Sequence, residues 1–120
     1  MLRLTDSEWK VMEVLWPSEG LPLGAIVDAL IPETGWSRTT VHTYLTRMTA
    51  KGLVHTGAES PRRYRAAVSR EACADSQRRE LVERAYQGSA GRLVAAFVKD
   101  GSLNPEERDE LRRLLDEMEV

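Results

Sequence analysis

The 120-residue sequence is poor in the residues that build metal and catalytic sites. It has one cysteine, Cys73, so an intrachain disulfide and a zinc site made of cysteine thiolates are both excluded. Neither His42 nor His55 has a second ligand at metal-binding spacing, and we expect no metal or cofactor. Because no glycine-rich phosphate loop and no recognisable grouping of Ser, His and carboxylates occurs, the sequence argues against an enzyme.

Long apolar runs are also missing. The longest are only a few residues, too short to cross a membrane, and the opening MLRLTDSEWK has neither the apolar segment nor the cleavage site of a secretory signal. We therefore expect a cytoplasmic protein without membrane insertion. A chain of this length has little room for a catalytic cleft beside a separate fold, which favours a small binding protein.

Charge is present on both signs but is unevenly distributed. The chain has a formal net charge of −2, yet residues 37–65 carry six basic side chains and one acidic one. The segments on either side are both net acidic. One contiguous stretch is therefore a cationic patch in an otherwise acidic chain, which is typical of a surface that meets a polyanion.

The first half of the chain predicts three helices. Thr5 and Glu8 form a capping box for the first, whose apolar residues recur at helical spacing up to Trp16, and both of its tryptophans are expected in the core. The second helix is expected to end at Pro32. Ser37 is a natural N-cap for the third helix and Gly52 its stop. Its predicted apolar stripe comprises Val41, Tyr44, Leu45 and Met48.

Two short strands are predicted next, at 53–56 and about 64–67, joined by a loop with Gly, Ser and Pro. Three helices followed by a hairpin are the pattern of a winged helix-turn-helix, so the expected fold is mainly α with a small β-hairpin wing. We predict this DNA-binding domain at residues 1–68. Residues 69–120 read as three charged helices with narrow apolar stripes, which predicts a helical dimerisation region.

The exposed face of the third helix is typical of a surface that binds nucleic acid. Opposite its apolar stripe it presents Arg38, Thr39, His42, Thr43 and Thr46, with Arg47 near the edge. Arginine can read guanine and threonine can meet a thymine methyl in the major groove. The wing adds Arg62, Arg63 and Arg65 for the DNA backbone or the minor groove.

These motifs resemble a known family. SEWKVMEVLW in the first helix, WSRTTVHTYLTRMTAKG in the third and GRLVAAFVKDGSLNPEERDELRRLLDE near the end are similar to the penicillinase-repressor (BlaI/MecI) family of bacterial transcriptional regulators. The resemblance covers nearly the whole chain. It implies a homodimer whose winged helices bind double-stranded DNA at a palindromic operator and repress resistance or stress-response genes.

The resemblance also implies roles for particular residues. The implied DNA contacts are Arg38, Thr39, Thr40, His42, Thr43, Arg47, Arg62, Arg63 and Tyr64. The implied dimerisation residues, together with the apolar stripe of the last helix, are Leu93, Val94, Phe97, Leu111, Leu114, Leu115 and Met118. In the family, a membrane-bound sensor protease looks to be the partner that cuts an Asn-Phe bond, and here the aligned pair is Ala96 and Phe97, without the asparagine. Copper control of the CopY type is not expected, because no cysteine lies near the C-terminus.

A second interpretation, from a different class, is a winged helix used as a protein-interaction or signalling module. Its threonine-rich face would then meet an acidic partner and show no preference for a DNA sequence. The two hypotheses differ in one measurable property, the ratio of specific to non-specific DNA affinity.

Overall fold

The computed structural model describes residues 2–118 and shows six α-helices and three short β-strands in that part of the chain. In chain order these are α1 (Asp6–Leu15), β1 (Leu21–Pro22), α2 (Leu23–Thr34), α3 (Arg38–Ala50), β2 (Val54–Thr56), β3 (Arg63–Ala66), α4 (Arg70–Ala85), α5 (Ala90–Asp100) and α6 (Pro105–Glu117). The prediction of a mainly helical winged fold is confirmed.

Helix α1 begins with the predicted capping box. The Thr5 hydroxyl accepts a hydrogen bond from the Glu8 amide at 3.2 Å, and a Glu8 carboxylate oxygen accepts one from the Thr5 amide at 2.9 Å. Both groups would otherwise lack an intrahelical partner at the helix start. The two tryptophans differ from expectation, because Trp9 and Trp16 are only half-buried and pack against the edge of the core.

Helix α2 corrects one prediction. Pro32 does not end this helix but lies in its last turn, and the helix continues to Thr34 before Gly35 takes the left-handed conformation at φ 68°. The missing proline N–H would have bonded to the carbonyl of Asp28, and both residues are exposed, so water can hydrate that carbonyl. The lost hydrogen bond is therefore tolerated near a helix end.

Helix α3 follows the prediction closely. The Ser37 hydroxyl accepts from the Thr40 amide at 3.2 Å, and Gly52, at φ 81°, supplies the left-handed residue after the helix. Its buried side chains are Val41, Leu45 and Met48, while Tyr44 is half-buried and its ring lies 4.8 Å from that of Trp36. One face of α3 is thereby committed to the core.

The sheet has one strand more than the sequence predicted. The hairpin of β2 and β3 is present, and β1 pairs antiparallel with the free edge of β3, giving the order β1-β3-β2. In this register Leu21 lies opposite Tyr64 and Pro22 opposite Arg63. Strand β1 has only two residues, one of them a proline, so it shows no periodic pattern by which the sequence could predict it.

The core lies wholly in the first of two compact units, Met1–Gln77. Side chains from α1, α2, α3 and the sheet meet there, and Cys73 in α4 is fully buried among them. The core residues are Leu4, Val11, Met12, Leu15, Ile26, Leu30, Val41, Leu45, Met48, Leu53, Val54, Tyr64 and Cys73.

The second compact unit, Arg78–Val120, contains the end of α4 with α5 and α6. Asn104 and Glu107 form a capping box at the start of α6, and Pro105 is the first helical residue. The division between the units falls inside α4, whereas the functional boundary predicted at residues 68 and 69 stays a prediction. In residues 2–118 no helix combines the length and the apolar character needed to span a membrane.

Candidate nucleic-acid interface

The exposed face of α3 has an ordered arrangement of side chains. At about 100° per residue, Thr39, Thr43 and Thr46 share one line along the helix, opposite the buried stripe. Arg47 and Thr40 lie on one side of this line, and Arg38 and His42 on the other. We call this the recognition face, comprising Arg38, Thr39, Thr40, His42, Thr43, Thr46 and Arg47. Six of these side chains are exposed and Thr40 is half-buried.

The hydroxyls on the recognition face are mostly engaged by the helix itself. Thr43 Oγ1 donates to the carbonyl of Thr39 at 3.0 Å, and Thr46 Oγ1 donates to the carbonyl of His42 at 2.9 Å. Thr40 Oγ1 accepts from the Ser37 hydroxyl at 3.1 Å. Hydrogen-bond donors for an external partner therefore come mainly from the arginines and His42.

Two shallow depressions flank the threonine line. One, of about 340 Å³, is lined by residues of β1, α2, α3 and the wing: Pro22, Leu23, Gly24, Arg38, His42, Pro61, Arg62 and Tyr64. The other, of about 210 Å³, lies on the opposite flank and is lined by Thr39, Thr40, Thr43, Tyr44 and Arg47. The structure thus brings Arg38, His42 and the wing residue Arg62 to one side of the helix, and Arg47 to the other.

The cations of the patch predicted from the sequence are not equivalent. Arg65 pairs with Glu59 at 3.5 Å and donates to the Glu19 carbonyl, and Arg63 donates to the Gly20 carbonyl at 3.1 Å. In residues 2–118, the guanidinium groups of Arg38, Arg47 and Arg62 form no salt bridge or hydrogen bond. These three are the charges most available to an anionic partner.

Lys51 belongs to the cationic patch in the sequence, but in the structure it is paired with an acidic residue of the fold. Its ammonium lies 2.8 and 2.9 Å from the two carboxylate oxygens of Glu8 and also donates to the Arg3 carbonyl at 3.3 Å. Burial of Glu8 opposes ionisation, but the hydrogen bonds from Lys51 and Thr5 outweigh it and hold the pKa of that carboxyl below its usual value. The pair ties the end of α3 to the start of α1. Sequence reasoning missed it because the two residues are 43 positions apart.

A second cluster joins α1 to the start of α4. The Arg70 guanidinium lies 5.8 Å from the ring centre of Trp9 and 5.3 Å from that of Trp16, and it forms a salt bridge with Glu13. Trp16 Nε1 donates to the Val68 carbonyl at 3.0 Å. The hydrogen bond from Arg70 outweighs a small effect of burial and lowers the pKa of the Glu13 carboxyl. The Arg70 side chain therefore packs against both half-buried tryptophans.

Tyr64 differs from the other eight residues implied as DNA contacts. Its side chain is 5% exposed and belongs to the core, although it also borders the depression beside Arg38. A side chain buried to this extent contributes packing area rather than a free donor. Tyr64 is therefore a packing residue of the wing, and a DNA contact by its side chain stays a prediction.

The residues implied in dimerisation lie in the second unit, where no residue from 78 to 118 is buried. Phe97 is 45% exposed, Leu115 50% and Met118 78%. Leu93 and Leu111 are half-buried, and Val94 and Leu114 are exposed. Ala96 and Phe97 both lie within α5, so the peptide bond between them is part of a helix.

Comparisons with known proteins all point to one family. A family model described as the penicillinase repressor matches residues 4–117. The methicillin resistance regulatory protein MecI of Staphylococcus aureus strain N315 is 25% identical over 113 residues, which are 93% of this chain and 92% of that protein. The penicillinase repressor of Bacillus licheniformis is 25% identical over 116 residues, 96% of this chain and 91% of that protein.

A solved structure supports the fold. The Bacillus licheniformis BlaI in its monomeric form, in complex with the blaP half-operator, is similar to this chain with a TM-score of 0.52 and 24% identity. The similarity covers 58% of this chain and 87% of that chain.

Proposed function

The chain belongs to the penicillinase-repressor family and is a DNA-binding transcriptional repressor rather than an enzyme, and we propose that it acts as a homodimer that occludes a palindromic operator. The recognition face would lie in the major groove and the wing arginines would meet the backbone. Repression then follows because a protein seated on a promoter excludes the polymerase. We propose that it does so in the cytoplasm.

The observation that carries the DNA-binding proposal is the position of the unpaired arginines. Arg38 and Arg47 flank the exposed threonine line of α3, and Arg62 lies on the wing beside Arg38. An α-helix fits the major groove, and guanidinium groups on its flanks can reach guanine edges or phosphates. We propose Arg38, Thr39, Thr40, His42, Thr43, Arg47, Arg62 and Arg63 as the contact residues.

The exposed apolar side chains of α5 and α6 support the dimer. Val94, Phe97, Val98, Leu114 and Leu115 are each 39% exposed or more, within helices that bury none of their own residues. Exposed large apolar side chains at this density mark a surface that is buried by association. A second copy is the proposed occupant, since two DNA-binding domains are needed to cover a palindrome.

We further propose that release from DNA follows proteolysis in this region, at the Ala96–Phe97 bond. The bond lies inside α5, whose amides are held in helical hydrogen bonds, so a protease requires local unwinding before it can bind an extended substrate. Intact-mass measurement of the chain from induced cells should show fragments ending at Ala96. A chain that stays intact while its genes are derepressed would contradict this route.

The test of the DNA-binding proposal is a titration of the purified chain against the duplex upstream of its own gene and against a shuffled duplex, at two salt concentrations. We expect the upstream duplex to bind about a thousandfold more tightly, with a steep salt dependence from phosphate contacts. Equal affinity for both duplexes would contradict operator recognition and favour the protein-interaction module.

Matched arginine variants sharpen this titration. Arg47→Ala should weaken operator binding by about 1 to 3 kcal/mol, because it removes a groove or phosphate contact. Arg84→Ala is the control, since Arg84 is exposed but lies on α4, paired with Glu80. Equal affinities of the two variants would remove Arg47 from the interface.

A further inference from the structure

We propose that Glu59 weakens DNA binding by holding the wing residue Arg65 against the backbone of residues 19 and 20, so that its guanidinium is not available to a phosphate. The inference rests on the proposed function, because it assumes that the wing lies along a duplex. It assigns to an acidic side chain the role of limiting DNA affinity, which is distinct from the contacts proposed above.

Glu59 is the exception in the cationic segment. Six of the charged side chains in residues 37–65 are basic, and Glu59 is the one acidic residue among them. It lies in the loop of residues 57–62 that joins β2 to β3, three positions before Arg62. A carboxylate there repels the phosphates of DNA, so the residue acts against the proposed partner of this surface.

The Glu59 carboxylate is paired with Arg65 of β3. One of its oxygens, Oε1, lies 3.5 Å from Arg65 Nη2, and both side chains are partly exposed. The loop leaves space for this arrangement, because a β-carbon at Gly57 would collide with the other carboxylate oxygen. Glu59 therefore folds over a position that has no side chain, and its charge is directed at an arginine of its own wing.

A second set of contacts holds the Arg65 guanidinium in place. Arg65 Nε donates to the Glu19 carbonyl at 3.3 Å, and a β-carbon at Gly20 would lie 3.1 Å from Nη2, so the guanidinium packs directly on this backbone. The bond to Glu19 is longer than is typical and has a neutral acceptor. In residues 2–118 it is the one hydrogen bond that would hold the guanidinium without Glu59.

Release of Arg65 would change the charge that the wing offers to DNA. Glu59 and Arg65 together are neutral, whereas a released Arg65 adds a positive charge on the same strand as Arg63. A guanidinium that contacts a phosphate displaces a counterion, so its contribution grows as the salt concentration falls and is the same for any base sequence. Glu59 thereby limits the part of the affinity that does not depend on sequence.

The experiment is a titration of Glu59→Gln against the upstream duplex and against a shuffled duplex at several salt concentrations. The substitution keeps the size of an exposed side chain and removes its charge. We expect the variant to bind both duplexes about threefold to tenfold more tightly than the wild type at about 0.15 M salt. The slope of log affinity against log salt should steepen by about one per protomer. An ion pair that only stabilises the wing predicts the opposite sign, because its loss would loosen the DNA-binding surface.

A double-mutant cycle tests whether the gain depends on Arg65. On an Arg65→Ala background, Glu59→Gln should change affinity by less than about twofold, because there is no guanidinium to release. The urea midpoint of Glu59→Gln should stay within about 0.5 M of the wild type, since a partly exposed ion pair contributes little to stability.

Glu110→Gln is the matched control. Glu110 also pairs with an arginine, Arg113, and its substitution makes the same change in net charge, but it lies on α6. This variant should bind both duplexes as the wild type does. A gain equal to that of Glu59→Gln would mean that net charge, and not the wing, sets the affinity, which contradicts the inference.

Two other results would overturn the inference. If Glu59→Gln binds DNA as the wild type does or more weakly, the acid does not restrain the wing. If the gain is equal on the Arg65→Ala background, Glu59 acts through its own charge and Arg65 is not released. Failure of the wild type to prefer the upstream duplex contradicts operator recognition alone, because the gain is measured on the shuffled duplex as well. Absence of binding to either duplex overturns both proposals.

Discussion

The two compact units differ in how far they bury their apolar side chains. Residues 2–77 enclose a core in which eight large side chains, among them Met12, Leu45 and Met48, are fully buried. In residues 78–118 no side chain is buried, although α5 and α6 carry Phe97, Leu114 and Leu115. The first unit has what a domain needs to fold alone, whereas the second leaves its apolar side chains in contact with water.

This difference separates two kinds of stability. The free energy of unfolding of the first unit should not depend on protein concentration, because its core comes from one chain. The proposed dimer predicts that the helices of the second unit gain their stability only on association, which makes their melting concentration-dependent. Substitutions in either unit test whether their stabilities differ in this way.

The largest expected effect comes from the second unit. Replacing Leu111 and Leu115 with aspartate should give monomers, and operator affinity should fall by about 10² to 10⁴-fold because the second half-site no longer binds intramolecularly. Analytical ultracentrifugation and the operator titration measure the two consequences. Replacing the exposed Arg112 with aspartate is the control for added charge on α6. A wild type that sediments as a monomer would contradict the proposed dimer.

A core truncation tests the first unit. Met48→Ala removes a fully buried side chain of α3 and should lower the free energy of unfolding by about 2 to 5 kcal/mol. Urea unfolding followed by tryptophan fluorescence reports this unit, since Trp9, Trp16 and Trp36 all lie in it. The loss should be the same at two protein concentrations, and a loss that varies with concentration would mean that the first unit also depends on association.

The ion pair between Glu8 and Lys51 gives a smaller, pH-dependent effect. Glu8→Gln keeps an acceptor for the Thr5 amide but removes the charge that faces Lys51, and should cost about 2 kcal/mol at pH 7. Because the folded pKa of Glu8 lies below the usual 4.5, its contribution is complete above that pH and is lost as the pH falls through the folded pKa.

Urea unfolding at pH 7 and near pH 3 therefore checks the sign. The difference between Glu8→Gln and the wild type should shrink at the lower pH. Lys10→Ala is the control, because its pair with Glu33 is exposed on both sides and should contribute less than about 1 kcal/mol. A difference that grows on acidification would contradict the depressed pKa of Glu8.

The smallest effect is expected at Arg70. Arg70→Ala removes the contacts with the two tryptophan rings and the salt bridge with Glu13, all partly exposed, and should cost about 1 kcal/mol. Arg70→Lys should recover only part of that loss, because an ammonium cannot stack on a ring as a guanidinium does. Full stability of Arg70→Ala would show that the cluster is held by Trp16 and Val68 alone.

Much of the fold could be predicted because its signals are local. The capping box at Thr5 and the N-cap at Ser37 each depend on residues no more than three positions apart. The apolar stripe of α3 has one period over its whole length. Helix starts and buried faces are therefore readable from the sequence, and β1, with two residues, is too short to show any period.

The candidate site was predicted less completely. The sequence places Arg38, Thr43 and Arg47 on one face of a helix, but the contacts of each charge depend on chain segments far away. Lys51 meets Glu8 and Arg65 meets the Glu19 carbonyl, at separations of 43 and 46 residues. A count of basic residues treats all six cations alike, whereas the structure leaves three without a partner in residues 2–118.

The order of the helices was predictable from local signals, and so were the buried face of α3 and the position of the cationic segment. Those properties follow from periodicity, capping and local charge. The tertiary structure was needed to show which charged groups are paired within the fold, that Tyr64 is a core residue and that Arg70 packs against Trp9 and Trp16. Such pairings form between residues that are distant in the chain, and their geometry is set by the packing of whole elements.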